Sequence, residues 1–156
     1  MGEQYGIGGD KTKGPRWECF SAPEGPPRAI YPTSEQIQDL LAETDDRPVV
    51  MVNLLRFKPE ADGGIETGQA AYERYAAAMR QVVEGEGGRF LWAGRVDSVV
   101  IGGPEAAGFD VIGIVEYPSR RKFVEIATSE RVQKIGADRA AGLESQWLIA
   151  TTTRTV

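Results

Sequence analysis

Val49-Val50-Met51-Val52-Asn53-Leu54-Leu55-Arg56-Phe57 (residues 49–57) is apolar at both alternating sets of positions. A strand with one face in water alternates apolar with polar, so this run predicts a central strand covered on both sides. Upstream, Asp45-Asp46-Arg47-Pro48 ends a short helix that Thr33 and Gln36 open in a capping-box pattern, with Ile37, Leu40 and Leu41 as its apolar stripe. Downstream, Lys58 to Thr67 reads as loop. Residues 68–84 then carry Tyr72, Tyr75, Ala76, Met79, Val82 and Val83 at helical spacing, until Gly85, Gly87 and Gly88 stop the helix. Arg89 to Ile101, with Gly94 as a kink or bulge, and Phe109 to Tyr117 read as an antiparallel hairpin. Ser119 and Ser129 cap two successive helical pieces, and Gln146 to Thr153 reads as the last strand.

The order is β-α-β-β-α-β, an α+β ferredoxin-like arrangement with an antiparallel sheet over residues 48–156. An accessory helix within 33–47 and a Gly/Pro-rich extended arm, 1–32, precede it. The arm has neither strand nor helix period, and Trp17, Phe20 and Tyr31 are its candidates for packing on the domain. Gly6 to Thr12 faintly resembles a phosphate loop but lacks its spacing and its preceding strand. Two helices cover one face of such a sheet. Val50, Val52, Leu54, Leu91, Val99, Ile112 and Ile114 make strand positions apolar on both faces, which predicts that two copies pack sheet to sheet as a homodimer.

Composition narrows the chemistry. The 156 residues are 41% hydrophobic and 26% charged, ordinary for a globular domain. A net charge of −5 and a pI near 4.9 argue against a nucleic-acid partner, which needs a basic face. No apolar run reaches the length of a membrane span, and Met1-Gly2-Glu3-Gln4 opens no apolar leader, so the expectation is a cytoplasmic protein without membrane contact. The chain has no histidine and one cysteine. That removes Ser-His-Asp and Cys-His catalysis, histidine-held haem and the usual zinc sites. The expectation is no metal and no cofactor, with catalysis left to Asp, Glu, Tyr, Arg, Lys or Cys19. Cys19 has no basic residue nearer than Arg16 and reads as inert.

Met51 to Phe57, Tyr72-Glu73-Arg74-Tyr75, Gly87 to Arg95, Val115 to Arg120 and Arg139-Ala140-Ala141 together resemble the family called domain of unknown function 1330, over about residues 48 to 152. The resemblance implies the dimeric α/β-barrel group, whose wider membership includes cofactor-free monooxygenases, decarboxylases, cyclases and haem enzymes. It also implies a ligand site between sheet and helices. Many members of the family carry a histidine just before the arginine matching Arg139; here that position is Asp138, which argues against the haem branch.

Arg139 falls on the core-facing stripe of its helix, with Val132, Ile135, Gly136 and Leu143. A guanidinium there needs a carboxylate, with Glu116 one choice, a carbonyl, or an anionic ligand, unless it snorkels to the helix edge. Asn53 sits mid-strand among Met51, Leu55 and Phe57, where a buried amide either fixes a loop or lines a pocket. Tyr72 and Tyr75 lie on an apolar stripe, as core residues or as phenols aimed at a ligand, and Trp92 is core or pocket wall. Glu116 shares a strand face with Ile112 and Ile114, either as a base of raised pKa or as an arginine's partner. Arg95 and Asp97 read as a surface or interface ion pair. The functional expectation is an enzyme without metal or haem, acting on a small organic ligand that bears a carboxylate or phenol. Asn53, Arg56, Trp92 and Arg139 would bind the ligand; Tyr72, Tyr75 and Glu116 would move protons. The reaction would be isomerisation, cyclisation, decarboxylation or cofactor-free oxygenation. The alternative is a non-catalytic ligand-binding or accessory dimer.

Overall fold

A nine-residue strand apolar on both faces needs hydrogen-bonding neighbours on both edges, and β1 (Val49–Phe57) has them. In the computed structural model, which describes residues 30–156, β1 lies between β3 (Val111–Tyr117) and β4 (Leu143–Thr151), and β2 (Arg89–Arg95) flanks β3. Every neighbouring pair is antiparallel. This is the ferredoxin-like sheet, with central β1 read correctly to the residue. Trp17, Cys19, Phe20 and the glycine-rich segment 6–12 lie outside the described residues. Among those described, no helix is long and apolar enough to cross a membrane.

Among the described residues, helices cover one face only. Val49, Met51 and Leu55 turn towards them and are buried, joined by Val115 and Tyr117 from β3. α2 (Gly68–Gly85) contributes Met79, Val82 and Val83 to this core, α3 (Arg120–Ala127) Ile126, and α4 (Glu130–Gly142) Val132. Three caps are those the sequence indicates, and a fourth, Thr67 accepting from Ala70 N at 3.1 Å at the start of α2, is not. Ser119 accepts from Lys122 N at 3.0 Å and Ser129 from Val132 N at 3.3 Å, while α1 (Ser34–Ala42) carries the full Thr33–Gln36 capping box. After α2, Gly87 supplies the left-handed turn at φ +88°.

Four strand boundaries differ from the sequence reading, one of them the end of β4, at Thr151 rather than Thr153. β2 stops at Arg95 rather than Ile101, because its partner β3 begins at Val111, opposite Arg95, and later residues have no strand to pair with. Val96 N still bonds Asp110 O at 2.8 Å, and a short 3-10 helix, Pro104–Gly108, follows. β3 correspondingly starts two residues later than expected. β4 starts at Leu143, not Gln146, directly from the end of α4. The irregularity in β2 falls between Phe90 and Trp92, not at Gly94; Gly94 makes room for the Trp92 ring, which a Cβ there would meet at 2.4 Å.

The other face of the sheet is left to Val50, Val52 and Leu54 of β1, Ile112 and Ile114 of β3, and Trp147 and Ile149 of β4. Trp147 meets buried Phe109 edge-on at 5.0 Å, but Ile149 and Leu91 stay about half exposed in the single chain.

Candidate functional site

Between the helix-covered face and the helices lies a half-open cavity that reaches round the sheet edges to Trp92, Trp147 and Ile149; its volume of about 1380 Å³ is above the usual range for small-molecule sites. Its sheet floor includes Asn53 and Gln146, which would be costly on an apolar surface without partners. They have them. Arg139, from the last turn of α4, donates through Nη2 to Gln146 Oε1 at 2.6 Å and to the carbonyl of Ile30. Gln146 Nε2 donates to Asn53 Oδ1 at 2.8 Å, and Asn53 Nδ2 points at the carbonyls of Met51 and Gly113, both at 3.4 Å. The strand registers explain this chain of contacts: Leu55 opposes Gln146 and Asn53 opposes Gly113, so both amides emerge on the helix side. Gly113 leaves the space over Asn53 open, since even a Cβ there would only touch Asn53 Cβ at 4.0 Å.

The Arg139 guanidinium also stands 5.2 Å from the centre of the Tyr31 ring. Among the described residues it meets no carboxylate, and Nε and Nη1 have no acceptor. Three N–H donors are therefore unspent. Tyr72 and Tyr75 line the same cavity, their rings 5.5 Å apart, with Phe57 5.2 Å beyond Tyr72. Burial pushes both phenols above the ordinary range, against a smaller downward pull from the Arg139 cation. Burial does the same to Tyr117. Neither Tyr72 nor Tyr75 has a hydrogen-bond partner among the described residues.

These phenols give the site an alkaline signature. An unfolded tyrosine loses its proton near pH 10, whereas Tyr72, Tyr75 and Tyr117 hold theirs beyond it in the folded chain. Above that pH the unfolded state binds fewer protons, so stability that is intact below about pH 10 falls as pH rises. Of the five tyrosines, these three are expected to yield tyrosinate absorbance only in a cooperative step together with loss of circular dichroism. Five phenols titrating smoothly in folded protein would mean that the cavity is wet.

Arg139, Asn53, Tyr72 and Tyr75 are thus brought together. Glu116 is not: it lies on the uncovered face, where it accepts from Arg89 at 2.7 Å, so the Arg139–Glu116 ion pair does not form. Arg56 shares that uncovered face, opposite Ser145, whose buried hydroxyl has no partner among the described residues. Trp92 borders the cavity from the sheet edge, but it pairs with Ile114 and is 56% exposed, so it is not a core residue. Arg95 and Asp97 form an exposed pair at 2.9 Å. Asp138 turns outward to Arg74, which also holds Glu66, tying α4 to α2. Gln146, Tyr31 and Arg120 belong to the cavity lining and were missed as site residues. For Gln146 the signal was a polar residue sharing the alternation of Leu148 and Ala150.

Residues 66–153 match the family model described as Domain of unknown function (DUF1330). No match is found among curated proteins. Among solved structures, the chain is similar to the RPA0582 protein of unknown function from Rhodopseudomonas palustris, at 30% identity over 85% of this chain and 99% of that one, with a TM-score of 0.74. Methylated RPA0582 protein matches at 32% identity over 85% and 97%, TM-score 0.73. At3g17210 from Arabidopsis thaliana matches at 16% identity over 69% and 97%, TM-score 0.50, a likeness of fold alone.

Proposed function

The chain belongs to the DUF1330 family, and we propose that its cavity binds a small organic anion and acts on it by proton transfer, without metal or haem. The observation that carries this reading is the Arg139 guanidinium, facing the cavity with three unspent donors and no carboxylate among the described residues. A ligand carboxylate, enolate or phenolate oxygen completes it with charge-assisted hydrogen bonds. The Gln146–Asn53 chain fixes the guanidinium before the ligand arrives, so little reorganisation is needed. Tyr72 and Tyr75, held protonated by burial, are donors to a developing oxyanion or to a carbanion. Isomerisation, cyclisation, decarboxylation and cofactor-free oxygenation of an activated ring all pass through such an anion.

One observation favours a non-catalytic binder as the second reading. Glu73, the one carboxylate among the described residues that line the cavity, is exposed and engaged by Gln69 at 2.9 Å, while Glu116 lies on the far face of the sheet. The uncovered face is further proposed to pack against a second copy. Thermal shift against small carboxylates and phenols tests the anion reading: one chemical class should raise the melting temperature, as a ligand preferring the native state must. A flat panel would count against it. Turnover of the stabilising compound, or its recovery unchanged, separates enzyme from binder. Sedimentation at micromolar concentration should give a dimer, and a monomer would sink the sheet-to-sheet packing.

A further inference from the structure

The chain carries a net charge of −5, yet among the described residues its cavity reverses the sign: Arg80, Arg120 and Arg139 line it against Glu73. Arg80 is exposed and stacked on Phe90 at 4.9 Å. Arg120 and Arg139 are both part-buried, and they stand at opposite ends of β4. Arg139 is anchored on Gln146 at 2.6 Å, whereas Arg120 donates through Nη2 to Thr152 Oγ1 at 3.2 Å. Thr152 lies six residues beyond Gln146, and at about 3.3 Å per residue of strand the two anchor points are roughly 20 Å apart. The wall between them is apolar, with Leu148 and Ala150 from β4, Leu40 from α1, Met79 from α2 and Phe123 from α3. Leu148 is 43% exposed, a large apolar side chain on the helix-side face that the described residues do not cover fully. Among the described residues Arg120 forms no ion pair. Asp45, the carboxylate within its electrostatic reach, is already bonded to Arg47.

We infer that the cavity takes an elongated organic diacid, with Arg139 holding one acidic group, Arg120 the other, and the apolar wall between them covering its middle. The inference rests on the anion-binding reading of Arg139 and adds a second anchor to it. A ligand of that length also accounts for a cavity above the usual size.

Calorimetric titration of the full chain with linear α,ω-dicarboxylates, from octanedioate to hexadecanedioate, and with monocarboxylates of the same lengths tests it. Dicarboxylate affinity should rise with length and, once the span is matched, exceed that of the equal-length monocarboxylate by about tenfold or more, the worth of one hydrogen-bonded charge. Arg120→Gln should collapse that ratio to about one, and Arg120→Lys, which restores a cation, should recover most of it. The length dependence is read on the native chain and stands even if a variant fails to fold. Equal affinities for the two series at every length, or a ratio that Arg120→Gln leaves intact, overturns the second anchor. Monocarboxylates that still bind, and cease to bind in Arg139→Leu, then leave the first anchor standing. No binding by either series overturns both.

Discussion

Gly142→Ala melts about 10 °C below the native chain, the consequence of roughly 3 kcal/mol in a domain of this size. α4 ends against the start of α2 with backbone touching backbone. A Cβ on Gly142 would lie 2.1 Å from Gly68 O and 2.9 Å from Tyr72 N, and one on Gly68 would lie 2.2 Å from Lys58 O and 2.6 Å from Gly142 O. No side-chain tip is available to swing aside. Lys58 N bonds Gly142 O at 2.8 Å and Gly68 N bonds Lys58 O at 3.1 Å, so a methyl group can enter only by lifting the helices apart and straining both bonds. Overpacking of this kind costs about 1–3 kcal/mol, and each weakened hydrogen bond adds about 1. Gly136→Ala is the contrast. It lies inside α4 with nothing within 4 Å of its would-be Cβ, and there alanine should raise stability by up to about 1 kcal/mol. Because Tyr72 and β4 both adjoin the Gly68–Gly142 contact, Gly142→Ala should weaken ligand binding as well. Melting of Gly142→Ala with the native chain would mean that the helices have room to part and that the cavity is not rigid.

That contact also explains which parts of the fold the sequence disclosed. The caps at Thr33, Ser119 and Ser129 and the whole of β1 are local signals: a hydroxyl before an apolar stripe, or nine residues of one character. Strand ends are not local. β2 stops where β3 has no further residue to offer, and β4 begins where close packing of Gly142 on Gly68 turns the chain from helix to strand. Leu143-Glu144-Ser145 hides the start of β4, because a register shift opposite Arg56 and Phe57 breaks its alternation. The site follows the same division. Asn53 and Arg139 stood out because a polar group on an apolar stripe must find partners, and they find them through Gln146. Gln146 shares the alternation of Leu148 and Ala150, but at the expected first position of a strand a polar residue marks a loop end as readily as a face. Glu116 and Arg56 were misplaced for another reason: alternation shows which residues share a face of a strand. When both faces are apolar it does not show which one the helices will cover, and these two side chains went to the other.

Arg139→Leu is expected to stay folded and to lose the ligand. Removing one partner of a buried, hydrogen-bonded charge pair costs about 2–5 kcal/mol of binding, so affinity for any carboxylate that raises the native melting temperature should fall roughly 30-fold or more. The cost in stability is smaller. Leucine leaves Gln146 Oε1 and the Ile30 carbonyl without their donor, about 1–3 kcal/mol, but it also removes a part-buried cation that no carboxylate among the described residues compensates. Arg139→Lys keeps the charge, gives up the planar fork, and should bind at an intermediate level. A purely structural arginine makes the opposite prediction. Arg139→Leu would then unfold, and Arg139→Lys would fold, melt and bind like the native chain. The split between binding and melting therefore decides whether this guanidinium serves the fold or the ligand; among the described residues it has donors without acceptors and no carboxylate, which places the larger loss on binding.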